Sequence, residues 1–253
     1  MKIVVAIKQV PERDADLVIA GAGIDDRNLV WTINEPDAYA LEAALQLREK
    51  NGGEVIVLSV GPERVTSTLR EALGKGADRA IHIMAEDIGS RDVLSIARLL
   101  ADAIRGESPD LILTGLQSED LGLGQTGVVL AELLDIPHAA LVLQVEAVEP
   151  TRIRVKRELE DGWFQYVEMP LPALLTIQSG GNKLRYATLM GIKKAKLKET
   201  RRMEAAGSVA PPANELVRVY LPERQKKTEM LHGTTAEIAT RVVEILRNEV
   251  RVL

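Results

Sequence analysis

Short apolar runs rich in Val and Ile alternate with stretches of helical period through the first half of the chain. Residues 2–8 read as a strand buried on both faces, because such strands carry continuous apolar runs rather than an alternation. Residues 34–37 read as a helix start. Asn34 is placed to cap, Pro36 suits the first turn and Asp37 suits the positive end of the helix dipole. Leu41, Ala44, Leu45 and Leu47 then recur at helical spacing until Gly52 and Gly53 stop it. Residues 54–60 form a second strand, closed by Gly61-Pro62, and a helix over 64–73 ends in a turn through Gly74 and Gly76. Residues 79–83 read as a third strand, 92–105 as a helix and 110–115 as a fourth strand; a further helix starts near Gln125 and ends before Pro137. Strands alternating with helices predict an α/β fold with a doubly wound, mainly parallel sheet.

The pattern changes after Pro137. Residues 140–148, 152–159, 163–169 and 173–178 read as successive strands, a late strand-rich segment with Glu160-Asp161-Gly162 as a hairpin turn. Over 199–214 the chain is charged, then rich in Ala and Pro, without periodicity, and reads as an extended arm. Thr234-Thr235-Ala236-Glu237 is a capping-box pattern, and Ile238, Val242, Ile245, Leu246 and Val250 make one apolar face of a final helix. Such a face beyond a structureless arm needs a surface to cover, its own domain's or a partner's. The domain boundary is therefore expected between 198 and 199, with 1–198 as the α/β domain and 199–253 as the arm and C-terminal helix.

Composition narrows the classes. Apolar residues make up 46% of the 253, enough for a full core, and aromatics only 3%, so that core is built from Val, Ile, Leu and Ala. No apolar run approaches the ~20 residues a membrane helix needs, and the N-terminal run is too short for a signal peptide; a chain not embedded in a membrane is expected. Cysteine is absent, which excludes disulfides and thiolate chemistry and fits a reducing, cytoplasmic compartment. His82, His138 and His232 show no ligand spacing, so no metal site is expected. A net charge of −5 argues against nucleic-acid binding, and the one local lysine cluster lacks interleaved aromatics for base stacking. No nucleophile stands beside its base: Ser179 is followed by glycines with no histidine near it, and no catalytic residue is expected.

Two segments carry candidate chemistry. In a parallel α/β sheet, ligands bind beyond the carboxyl ends of strands where the strand order reverses. Three loops fit that placement: one after Ala6, one at Ser59-Val60-Gly61-Pro62, and one over 115–127, GLQSEDLGLGQTG. The last is rich in glycine and opens a helix with Gln125 and Thr126 at its start. Free amides there and the helix dipole favour a phosphate, and the Thr126 hydroxyl adds a donor. It is neither a Walker loop nor a dinucleotide fingerprint. The plainer alternative is a flexible connection ending in a helix cap. The second segment, RYATLMGIKKAK over 185–196, sets an apolar tip, Ala187 to Ile192, beside Lys193, Lys194, Lys196, Lys198, Arg201 and Arg202. An apolar anchor in a charged rim reads as a docking loop; the alternative is a surface helix that its lysines solvate.

RYATLMGIKKAK resembles the signature segment of the β subunit of electron transfer flavoproteins. VAIKQV, NEPDAYALEAAL, LSVGP, GKGADRAIHI, GLQSEDLGLGQTG and RVKREL resemble that family in the same order and at similar spacing, over nearly the whole chain. The resemblance implies an adenine-nucleotide-binding fold that holds a structural AMP. Ala6 and the turn Asn34, Glu35, Pro36 and Asp37 would line the adenine pocket, and Val60 would sit against the base. Gly115, Gln117, Asp120, Gly124, Gln125 and Thr126 would wrap the ribose and phosphate. The family loop commonly carries several acidic residues before Gln-Thr-Gly; here Glu119-Asp120 are followed by Leu-Gly-Leu-Gly. Relatives that bifurcate electrons hold a second FAD in place of the AMP, and Gln125-Thr126-Gly127 looks more like the AMP type.

The resemblance further implies a heterodimer whose α subunit holds most of the redox FAD, with residues 199–253 packing on that subunit. The carrier would take electrons from acyl-CoA dehydrogenases, in fatty acid oxidation, and pass them to a flavoprotein-quinone oxidoreductase; the chain itself would be no enzyme. Leu189 would anchor the recognition loop in the dehydrogenase, surrounded by Arg185, Tyr186, Met190, Ile192, Lys193, Lys194 and Lys196. Met190 stands where the family often has proline, which makes the loop more adaptable. Glu158 matches a glutamate that pairs with an arginine of the mobile flavin domain, and Arg13 falls near a position where some relatives place an aromatic beside the flavin ring. Two other classes remain as alternatives. A nucleotide-binding regulator like the universal stress proteins has a related sheet but no arm and terminal helix. An adenylating enzyme would need a pyrophosphate loop after the first strand, whereas Ser179-Gly180-Gly181-Asn182 follows a late one.

Overall fold

The computed structural model describes residues 1–21, 23–205, 212–214, 216–222 and 228–252. The chain divides into two units, Met1–Arg218 and Val219–Leu253. In the first, β1 (Lys2–Ala6) is followed by four three-residue strands, β2 (Gln9–Pro11), β3 (Val18–Ala20), β4 (Gly23–Asp25) and β5 (Trp31–Ile33). These pair as two antiparallel ribbons, β2 with β5 and β3 with β4. Then come α1 (Glu35–Asn51), β6 (Glu54–Gly61), α2 (Val65–Lys75), β7 (Arg79–Met84), α3 (Val93–Glu107), β8 (Leu111–Gly115) and α4 (Thr126–Leu134). The late segment gives β9 (His138–Glu149), β10 (Arg152–Glu158), β11 (Phe164–Pro170) and β12 (Ala173–Ile177), then α5 (Leu189–Ala195) and β13 (Thr200–Glu204).

Nine strands form one mixed sheet in the order β11-β10-β9-β12-β8-β1-β6-β7-β13. It is parallel from β9 through β13, and antiparallel where β10 meets β9 and β11. After β1 the chain moves outward through β6 and β7, then returns to lay β8 on the other side of β1. The strand order therefore reverses at the β1–β8 pair. Each central strand is apolar on both faces. Ile3 and Val5 of β1 pack in a layer with Leu41, Leu45, Leu69 and Leu73 of α1 and α2, while Val4 and Ala6 pack in the opposite layer with Leu100, Ile104 and Leu130 of α3 and α4. Alternate side chains of a strand point to opposite faces, so helices on both sides require the continuous apolar runs seen in the sequence.

Three expectations change. The four short strands before α1 lie where the sequence showed no period, because three residues are too few to display one. Part of the expected arm is a strand: β13 extends the sheet edge in register with β7, Thr200 opposite Ala80 through Glu204 opposite Met84. Arg201 pins it to the buried Glu107 at 2.8 Å and Arg202 to Glu63 at 2.9 Å; residues 206–211 of the arm lie outside those described. The docking tip is a helix rather than a loop, started by Thr188, whose Oγ1 accepts from Gly191 N at 3.0 Å. Gly191 lets α5 close on α2, because a Cβ there would collide with the Gly74 carbonyl. In the second unit, α6 (Thr235–Glu244) starts at the expected capping box, with Thr234 N and Oγ1 both donating to Glu237 at 2.8 Å. The helical path continues through Ile245–Val250 with wider π-type turns, and none of its residues is buried.

Candidate functional site

The carboxyl ends of β8, β1 and β6 stand side by side, and the three expected loops leave from them. Ala6 is buried at the end of β1, Val60 is half-buried near the end of β6, and Gly115 closes β8. Asp37, in the first turn of α1, reaches both strand ends across the reversal point. Its Oδ2 accepts from Lys8 N at 2.7 Å and its Oδ1 from Gly115 N at 2.8 Å. Gly115 is required for this approach, because a Cβ there would run into Asp37 Oδ1 and lie 2.7 Å from Pro36 Cβ. Burial pushes the Asp37 carboxyl up to about 6, against the pull of the two amides, Asn34 and Lys8.

Asn34 occupies the cap position of α1 but makes no side-chain cap. Instead its Nδ2 donates to Gln117 O and its Oδ1 accepts from Glu119 N, both at 2.9 Å. Glu119 in turn accepts from Glu35 N at 3.3 Å and, at 2.9 Å, from Arg13, which also reaches Glu35. The helix start is thus capped from the 115–126 loop and not by its own sequence neighbour. Lys8 Nζ lies 2.6 Å from Asp120 Oδ1 and 3.3 Å from Ser118 Oγ. Burial alone would raise the Asp120 carboxyl, but the Lys8 ammonium and local hydrogen bonds hold it below the ordinary range. Asp120 is therefore committed to the protein, as is Arg13.

The remainder of the loop is open. Gly122 and Gly124 both have φ +63°, a left-handed conformation that a side chain strains, and Gly122 N donates to Ser118 O at 2.8 Å. Leu121 and Leu123 are exposed. Gln125 and Thr126 begin α4 with no side-chain cap, so no side chain at the helix start takes its first-turn amides. Gly127 seats that turn on the sheet, since a Cβ there would lie 2.5 Å from Thr176 and 2.7 Å from Thr114. Backbone amides and a hydroxyl at a helix start, beyond the carboxyl ends of strands where their order reverses, suit an anionic group.

The structure separates the other predicted residues. Glu158 ends β10 at the same edge of the sheet, where Gln178 donates to it at 3.3 Å. The docking segment lies apart from the loops, on α2. Tyr186, Leu189, Met190 and Ile192 are exposed, Leu189 at 83%. Lys193, Lys194 and Lys196 are exposed beside them, whereas Lys198 donates to the Leu73 and Ala77 carbonyls and closes the end of α2. Arg185 is held at the root of the segment by Glu42 and Glu49 at 2.8 and 2.6 Å. Sequence reasoning missed Lys8, Ser118 and the bracing role of Glu119; their partners stand 84 to 112 residues away, beyond any local pattern. Among the described residues no cluster of potential metal ligands occurs, and no helix is long and apolar enough to cross a membrane.

Residues 21–207 match the family model of the electron transfer flavoprotein domain. The chain is 37% identical to the electron transfer flavoprotein subunit beta of Methylophilus methylotrophus, over 97% of this chain and 98% of that one. It is 35% identical to the subunit of the same name from Bacillus subtilis, over the full length of both. The mitochondrial subunit from Oryza sativa subsp. japonica is 32% identical, again over both full lengths.

Proposed function

The chain belongs to the electron transfer flavoprotein family as a β subunit, and from that premise we propose that it holds one structural AMP in the crevice at the ends of β8, β1 and β6. Its role as a subunit of an electron carrier, paired with an α subunit, follows from the family. The observation that carries the nucleotide reading is that the segments after β8, β1 and β6 leave from adjacent strand ends at the strand-order reversal, the first of them opening α4 without a side-chain cap. Ala6, Val60 and the main chain at 34–37 line the flat part. Gly115, Gln117 and Gly124 shape the ribose wall, and the amides at Gln125 and Thr126 meet the phosphate. Asp37 and Asp120 serve as braces behind this surface.

FAD, held mainly by the α subunit, supplies the redox chemistry when bound. The chain's part is to position that subunit and the electron donors. The charge and reach of Glu158 fit it to meet a cation of the flavin-bearing domain. Residues 189–196 present an apolar knob on a basic collar to acyl-CoA dehydrogenases in the cytoplasm, and a quinone oxidoreductase takes the electrons onward. The arm and α6, with an apolar face that is nowhere buried, pack on the α subunit.

The test is a nucleotide count. The purified heterodimer is denatured and the released nucleotides are identified and counted by chromatography. One AMP and one FAD are expected. Two FAD and no AMP would replace the reading with a bifurcating carrier; ATP or no nucleotide, with no flavoprotein partner, would replace it with a nucleotide-binding regulator.

A further inference from the structure

The turn at 34–37 matches residues that would touch a nucleotide, yet of its two carboxylates that of Asp37 faces inward. Asp37 is 6% exposed and spends both oxygens on main-chain amides, Lys8 N at 2.7 Å and Gly115 N at 2.8 Å. Those amides sit just beyond the end of β1 and at the end of β8, the two strands at which the order reverses. The parallel register of β1 and β8 is recorded from Ile3–Leu111 to Val5–Leu113, short of both amides, so the carboxylate bridges the strands where the ladder has stopped. The same turn holds the loop beyond Gly115 through Asn34, which bonds Gln117 O and Glu119 N. Lys8 faces Asp37 from β1 with its amide and Asp120 with its ammonium; Gly115 faces it from β8, and Asn34 lies beside it on its own turn.

We infer that Asp37 is a positioning residue of the nucleotide site: its carboxylate ties the ends of β1 and β8 together and so holds the 115–126 loop in the shape that receives the ligand. The inference rests on the proposed nucleotide reading. Two N–H donors converge on one side chain, and only an ionised carboxylate offers each an oxygen without a competing proton. Protonation puts a hydrogen on one of those oxygens and weakens one arm of the tie. The Asp120 carboxyl is held below the ordinary range by its hydrogen bonds and the charge of Lys8, so the change falls on the tie. Burial brings this titration up to about 6.

Wild-type and Asp37→Asn heterodimers are desalted across pH 5 to 7.5, the adenine nucleotide retained per heterodimer is counted, and far-UV circular dichroism records the fold. The wild type is expected to lose nucleotide as pH drops through about 6 without losing its dichroism. The variant, in which an amide N–H₂ opposes one of the donors, is expected to retain nucleotide roughly tenfold more weakly at pH 7.5, the fold-change for loss of one charge-assisted hydrogen bond, and to show no pH profile. Retention equal to wild type with the same profile overturns the inference and leaves the nucleotide reading standing. A wild type that holds no adenine nucleotide at pH 7.5 overturns both. Should the variant not fold, amide hydrogen exchange on the wild type decides. Protection at Lys8 and Gly115 should fall through pH 6 while that at Val57 in the core of β6 does not; parallel behaviour overturns the inference.

Discussion

Arg185 engages two carboxylates of α1 at once, Nε and Nη2 on Glu42 and the Nη pair on Glu49. Glu42 is nearly buried; burial alone would raise its carboxyl, but Arg185 and Gln46 hold it below the ordinary value. A carboxyl lowered in this way contributes stability that is present above its ordinary value of 4.5 and is lost as pH falls through the lowered one. Arg185→Ala leaves Glu42 without a cation and is expected to cost about 1–3 kcal/mol, read as a lower midpoint in urea at neutral pH; the gap should narrow on acidification. Asp37 behaves oppositely. Its folded value of about 6 lies above the ordinary 3.8, so its contribution is fully present below about 3.8 and is lost as pH rises through 6. Thermal midpoints of wild type and Asp37→Asn should therefore diverge between pH 4 and 7, the wild type losing ground as pH rises; a constant difference would refute the buried titration.

At the scale of elements, α5 is small, seven residues, and stands by virtue of its cap and its Gly191–Gly74 contact with α2. Its one buried residue is Ala195. Leu189 contributes almost nothing to that packing, since its side chain projects into solvent. Leu189→Ala is therefore expected to leave stability within about 0.5 kcal/mol and nucleotide content unchanged, while electron transfer from an acyl-CoA dehydrogenase drops strongly; unchanged steady-state transfer would remove the docking role. The edge strand β13 depends on charge in a way α5 does not. Glu107, 6% exposed, takes Arg79 from β7 and Arg201 from β13 on its two oxygens. Glu107→Ala leaves two guanidiniums facing one gap. It should destabilise the first unit by about 3 kcal/mol, with loss of protection in β13 ahead of the central strands by hydrogen exchange.

At the scale of the whole molecule, the two units differ in how they are held. The first has two apolar layers, one on each face of the sheet, and every central strand contributes to both. The second buries none of its helical residues. A chain ending at Arg218 keeps both layers and is expected to fold but to fail in copurification with an α subunit; full recovery of the heterodimer would show that residues 219–253 are dispensable for pairing.

Local rules were enough for the layer architecture, the late strand-rich segment, the capping box at Thr234 and the departure of three loops from adjacent strand ends. Those features follow from local rules: continuous apolar runs for doubly covered strands, glycines where helices stop, and a hydroxyl three residues before a glutamate. The tertiary structure alone decided what the polar residues of the site do. Asn34 reads as a cap and becomes a brace for Gln117 and Glu119; Asp37 reads as a dipole partner and becomes the tie between Lys8 and Gly115; Arg201 reads as part of a basic collar and becomes a fastening of β13. A buried polar group is satisfied by whichever partner the fold brings within about 3 Å. Those partners lie 29 to 94 residues along the chain, a separation at which hydrophobic period and turn chemistry carry no information.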